Sequence, residues 1–306
     1  MSGFIFRRVA QALIVVIGVS VVVFFLARLA PGDPVSLMLA ETASPEQIEA
    51  AREHYGFNEP LWYQYGLFAS RALQGDFGDS LYYKQPALGV VLDAFPATAK
   101  LAAVSFAIAV LVAVPLGVIA AIKRDTVWDY VAIGLSVIGQ AAPSYWIGIL
   151  LILFFSVRFH WFPSSGNYGP SYIVLPAITL AAVLMAVLTR LTRAGMLDVL
   201  SEDYVRTARS KGLRESGVIV RHALRNALIP LVTVMGLQLG SILGGTIIVE
   251  QVFAWPGVGR LAVNAISSRD YPIIQAVVLL VSIVFVVINL LVDLLYGFLD
   301  PRIRHS

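Results

Sequence analysis

The stretch EDYVRTARSKGLRESGVIVRHALRNALIP runs from Glu202 to Pro230 and carries Arg206, Arg209, Lys211, Arg214, Arg221 and Arg225. It is helix-shaped and charged, yet it lies between two apolar segments, about 172–190 and 229–249. Each is close to the ~20 residues a membrane-crossing helix needs. A basic insert between two membrane-length runs reads as a loop joining two spans, which sets the fold class: an all-α polytopic membrane protein. Working outward, six segments read as transmembrane helices, about 9–29, 99–122, 130–157, 172–190, 229–249 and 273–297. The chain is 58% hydrophobic and 13% charged, whereas a soluble domain is about half apolar and a quarter charged. One membrane domain over 1–306 is expected. Arg7 and Arg8 precede an apolar run from Val9 to Leu26 that is longer than a signal-peptide core and has no A-x-A site after it, so it reads as a retained span. Pro176 falls in the first turn of the fourth span, where a missing N–H is tolerated.

The basic residues orient the bundle. Arg7 and Arg8 precede span one, and Lys123 and Arg124 follow span two. Eight lie between spans four and five, starting at Arg190 and Arg193, and Arg302 and Arg304 follow span six. That puts 14 of the 22 Lys and Arg residues on one side, assigned to the cytoplasm with both termini. The segment 30–97 then falls outside, with nine acidic residues against Arg52, Arg71 and Lys84. It shows structure of its own. Ser44-Pro45-Glu46-Gln47 reads as an N-cap, a Pro at the first helical position and a capping-box Gln, with Gly56 as the stop. PLWYQYGLFASRAL (60–73) reads as a helix that either floats Trp62, Tyr63 and Tyr65 at headgroup depth or forms a docking surface.

The coupling loop 191–228 is predicted to be two short amphipathic helices around a glycine elbow. Ser201 is expected as N-cap, with Glu202 and Asp203 in the first turn and Arg209 and Lys211 in the last, each placed to suit the helix dipole. Gly212 ends the helix. Tyr204, Ala208 and Gly212 share one face, and a second helix begins near Ser216 and carries Val218, Ile219, His222, Ala223 and Asn226. A lipid-contacting surface pair, a topology signal and a docking knob for a soluble partner all fit this pattern. In span five, Gly236, Gly240 and Gly244 form a small-residue stripe suited to close helix approach, within the chain or between subunits.

The insert resembles the cytoplasmic coupling loop of permease subunits of binding-protein-dependent ABC importers, closest to the dipeptide, oligopeptide and nickel branch that also holds glutathione importers. The likeness extends through LAPGDPV (29–35), GDFGDSL (75–81), MLDVLSEDYVRTARSKGL (196–213), RHALRNALIPLVT (221–233), GLQLG (236–240), VFAWPGVGRL (252–261), RDYP (269–272) and NLLVDLLYGFLDPRIR (289–304), in family order. One departure stands out: the broad family's Glu-Ala-Ala is here Arg206-Thr207-Ala208, followed by Gly212. Contacts of that Glu do not transfer to Arg206.

The resemblance implies that Glu202, Asp203, Tyr204, Arg206, Thr207, Ala208, Arg209, Lys211, Gly212, Arg221 and His222 meet an ATPase subunit. It implies a second permease, a paralogue or else a second copy of this chain, two ATPase subunits or domains, an extracytoplasmic binding protein, and the inner membrane of a bacterium or archaeon with its lipid. ATP and Mg would sit on the partners, since this chain has no G-x-x-x-x-G-K-[ST] loop. No metal site, catalytic residue or nucleic-acid partner is expected: His54, His160, His222 and His305 are scattered and there is no Cys. Peptides are the first choice of cargo, with glutathione or nickel as alternatives. A secondary transporter or channel remains a different class, but no inverted repeat with interrupted helices is visible. Gln238, Glu250 and Asn289 are candidates for the pathway, because polar groups at membrane depth are functional candidates. Glu250 is placed near the outer boundary, where water could reach it, and structural pairing is the first reading of both Glu250 and Asp293, the latter with Arg302 or Arg304; a cavity role for Glu250 is the alternative. Trp255-Pro256-Gly257 reads as a tight turn with an aromatic tip, either a re-entrant loop or a gate.

Overall fold

A computed structural model of the chain describes residues 2–29, 44–54 and 58–299. Gly56, most of LAPGDPV, and Arg302, Arg304 and His305 lie outside the described residues. The described residues are helical, apart from turns and one isolated bridge between Asp79 and Pro86. Among the described residues, five helices are long and apolar enough to span a bilayer, or six if one bent pair forms a single span. Contacts divide the chain into two units, 1–96 with 260–290 and 97–259 with 291–306.

The first unit begins with α1 (Ser2–Leu29). Its long apolar face is largely exposed, with Leu13, Ile14 and Ile17 each more than half accessible. α2 (Pro45–His54) starts at the expected proline. α3 (Leu61–Leu73) matches the predicted aromatic helix. It is not uniformly interfacial. Tyr65 turns inward, sharing a 2.9 Å hydrogen bond with Ser20, and its ring meets the fully buried Phe24 edge-on at 5.4 Å. Trp62 on the same helix stays 75% exposed. The turn after α3 is tied down by a buried carboxylate. The Ser80 hydroxyl donates to Asp270 Oδ2 at 2.5 Å, and the Tyr82 N–H donates to the same oxygen at 3.2 Å. Asp270 also accepts from the Ile273 N–H, capping the N-terminus of α12 (Tyr271–Leu299). The blocks GDFGDSL and RDYP are therefore one structural joint.

The second unit centres on α7 (Val174–Leu200), whose first turn holds the buried Pro176. α4 (Ala87–Ile122) is longer than the predicted span, and at 36 residues it measures about 54 Å, well beyond a ~30 Å hydrocarbon core. The third predicted span, 130–157, is not one helix. α5 (Val127–Ala141) and α6 (Ser144–Leu151), the latter running into a π-helical stretch Ile152–Arg158, meet at a 108° bend. The cause is Pro143. It lacks an N–H and drives the preceding Ala142 into extended backbone, φ −79° and ψ 130°. Two close approaches fix α4 and α5 against α7. A Cβ at Gly117 would lie 2.7 Å from the Thr189 carbonyl oxygen, and one at Gly139 would lie 3.0 Å from that of Ala182. α10 (Arg225–Val252) follows the insert and contains Pro230, and α11 (Val258–Ser267) comes after a buried turn.

Candidate coupling site

The insert folds as an elbow with an apolar underside. α7 runs ten residues past its predicted end at 190 and stops at Leu200. Ser201, expected as the N-cap of the next helix, instead closes α7: its backbone is helical and its hydroxyl donates to the Asp198 carbonyl at 2.7 Å. A hydroxyl engaged three residues back is not free to cap forward. The N-cap position passes to Glu202, in extended backbone and without a side-chain cap bond. α8 (Asp203–Ser210) follows, with Asp203 in its first turn and Arg209 in its last. Gly212 ends this arm as predicted, at φ +74°, with nothing within 4 Å of where a Cβ would stand. The glycine serves backbone conformation, not space.

Of the three residues read as sharing one face, only Ala208 is buried. Val205 and Ala208, not Tyr204 and Gly212, turn inward and join Val218 under Val199 and Leu200. Tyr204 remains 41% exposed, and its hydroxyl accepts from Asn226 Nδ2 at 2.9 Å, bridging the two arms. The second arm is α9 (Glu215–Gly217), a π-helical stretch Val218–Leu224, and then α10. Arg209 closes the elbow with a fork onto Glu215, at 2.7 and 3.2 Å. The hydrogen bond from Arg209 holds the Glu215 carboxyl below its ordinary range, and the same bond raises the Arg209 guanidinium. Arg206 reaches Asp203 only at 3.5 Å. Glu202, Thr207, Lys211 and Arg221 are exposed, and His222 is half-buried with its carbonyl accepting from Asn226.

Sequence reading missed one buried ion pair. Arg193 of α7 grips Asp129 of α5 through Nε at 2.6 Å and Nη2 at 2.7 Å. Asp129 is 1% exposed and also accepts from the Asp125 N–H at 3.1 Å. The available signal was an Asp inside the otherwise apolar VWDYVAIG, facing an Arg set one helical turn inside the basic cluster.

Comparison with known proteins decides the family. Residues 113–305 match the family described as binding-protein-dependent transport system inner membrane component, and residues 1–102 match its N-terminal companion. The chain belongs to this family. It is a permease subunit of an ABC importer in the inner membrane. The glutathione transport system permease protein GsiC of Escherichia coli (strain K12) is 43% identical over 306 residues, covering 100% of both chains. The protein of that name from Shigella flexneri serotype 5b is 42% identical over the same span. Among solved structures, the inward-facing MetNI methionine ABC transporter aligns with a TM-score of 0.56 at 16% identity, over 69% of this chain and 96% of that one. Membership implies ATPase and substrate-binding partners for the permease.

Each of the permease's candidate pathway residues is engaged locally. Glu250 is not wet: it is 0% exposed, and its Oε1 accepts from Thr98 Oγ1 at 2.6 Å. The same Thr98 hydroxyl accepts the Val258 N–H at 2.8 Å. The following turn folds over the carboxylate, so closely that a Cβ at Gly257 or Gly259 would collide with it. Trp255, read as the aromatic tip of a tight turn, is 0% exposed, and its indole N–H donates to the Ala97 carbonyl at 3.0 Å. Gln238 sits half-buried beside Ser241, and Asn289 donates to the Phe285 carbonyl one turn back. The glycine stripe divides. A Cβ at Gly236 would collide with Val292, Gly240 is buried, and Gly244 has nothing within 4 Å.

Proposed function

We propose that this permease forms half of a translocation path for short peptides of glutathione size, delivered by an extracytoplasmic binding protein. End-to-end identity to the glutathione permease of Escherichia coli supports that cargo class. The other half would be a paralogous permease. ATP and Mg would be held by two partner ATPases, with this chain contributing no hydrolytic site of its own. The basic side, with both termini and the elbow, would face the cytoplasm.

One observation carries the reading: the elbow anchors Val205, Ala208 and Val218 to the end of α7 and leaves Asp203, Arg206, Arg209 and Lys211 outward. An arm fixed from beneath and polar above is built to transmit a push from a soluble subunit. A push shifts the permease between states only if the ATPase contacts those states differently. A mild-detergent pull-down from the native host, followed by mass spectrometry, tests this. Recovery of an ATPase with a phosphate-binding loop and a second permease is expected. Recovery of the chain alone under several mild conditions would overturn it. Uptake of labelled glutathione and di-alanine into proteoliposomes holding the complex then tests the cargo class, with neither one moved as the contrary result.

A further inference from the structure

We infer that the Arg193–Asp129 pair is the positioning joint that makes α5 follow the elbow, an inference that rests on the coupling role proposed above. α7 is unbroken from Val174 to Leu200, and the elbow is seated directly on its end through Val199 and Leu200. A displacement of the elbow therefore reaches the last turns of α7 with little loss. Those turns hold α4 and α5 as well as the start of α10, whose Ala227 packs against Gly195 and Met196. α4 is in backbone contact at Gly117 against Thr189 and Thr192, and α5 is held by Arg193 on Asp129.

The second hold differs in kind from apolar packing. A bidentate Arg–carboxylate fork fixes distance and orientation together, and with Asp129 1% exposed no water replaces a lost bond cheaply. Asp129 also takes the Asp125 N–H, so the fork clamps the start of α5 and the turn before it as one piece. At the far end of α5, Gly139 lies against the Ala182 backbone. α5 is thus held to α7 at both ends, and the bend at Pro143 carries its movement into α6 at 108°. A lone surface-directed Arg would satisfy the positive-inside bias equally well, whereas this one is turned onto a buried carboxylate nine residues before the elbow begins at Glu202.

The test uses the complete importer in proteoliposomes, with the binding protein as purified from the host. The readout is ATP hydrolysis with and without that protein, for Asp129→Asn, Arg193→Lys and the charge swap Asp129→Arg with Arg193→Asp. Coupling between sites spans about 5- to 150-fold in general. The single variants are expected to insert, to retain both ATPases, and to lose about tenfold in stimulated over basal hydrolysis, with the swap recovering part of it. Unchanged stimulation in both single variants overturns the inference. Failure of both to insert or assemble also overturns it, because the pair is then structural. If the unmodified complex carries no ATPase, the proposed function itself has failed, and that result is separate from either of these.

Discussion

The two ends of α10 use charge in opposite ways. At its start, the elbow holds many charged groups and buries almost none of them. At its end, the turn over Glu250 holds one carboxylate and buries it completely, under Thr98, Gly257 and Gly259. The ends are 28 residues apart, about 42 Å. The contrast separates two meanings of a polar residue in a membrane protein. Polar groups engaged within the chain and sealed from water are architecture. Polar groups held on a rigid base and left outward are a surface for something else.

The largest break in that contrast should come at the sealed end. Gly257→Val would drive a side chain into the Glu250 carboxylate. Overpacking costs about 1–3 kcal/mol even in apolar surroundings, so loss of monodisperse protein is expected by size-exclusion chromatography of the detergent extract. Thr98→Val removes a donor to Glu250 and an acceptor for the Val258 N–H. It should cost about 1–3 kcal/mol, read as a lower melting temperature with ATPase capture intact. A change of similar size at the elbow should do the reverse. Ala208→Trp, on the 6% exposed underside of α8, would lift that arm off its seat. Insertion and melting should be retained while capture of the ATPase falls about tenfold, or 1.4 kcal/mol. A fall in insertion instead would make the elbow part of the fold.

The smallest effect belongs to the Arg209–Glu215 fork. Glu215 is held below its ordinary range in the folded chain, so the pair's contribution is complete above that range and is lost as pH falls through the lowered value. Hydrogen-exchange protection across 203–217, corrected for the intrinsic pH dependence of amide exchange, should therefore stay flat above the ordinary carboxylate range and fall as the pH drops below it. Because the pair is exposed, the melting temperature should not change measurably.

Much of this was legible in the chain and some was not, for definable reasons. Length and hydropathy reveal the spans because the bilayer imposes one length on all of them. The elbow was legible because its turn depends on a glycine at positive φ and on short-range charge placement. The break at Pro143 was present in the sequence, but an uninterrupted apolar run from 130 to 157 concealed it, since hydropathy does not register a missing N–H. The burial of Glu250 and Trp255 was not legible, because nothing local to VFAWPGVGRL shows which partner lies beneath it. Asp129–Arg193 and Ser80–Asp270 join residues 64 and 190 positions apart, where no local pattern reaches.

That last separation orders the protein's manufacture. Chains are made at about 5–20 residues per second, so roughly 10–40 s pass between synthesis of Ser80 and synthesis of Asp270. Throughout that interval the turn at 75–86 lacks the Asp270 carboxylate that ties Ser80 and Tyr82. The joint closes only when the final helix, which Asp270 itself caps, arrives. A ribosome that stops before residue 270 leaves a chain with its earlier helices made and this clasp still open. Quality-control proteases working at the membrane would meet there a loop that lacks the tether the finished permease gives it.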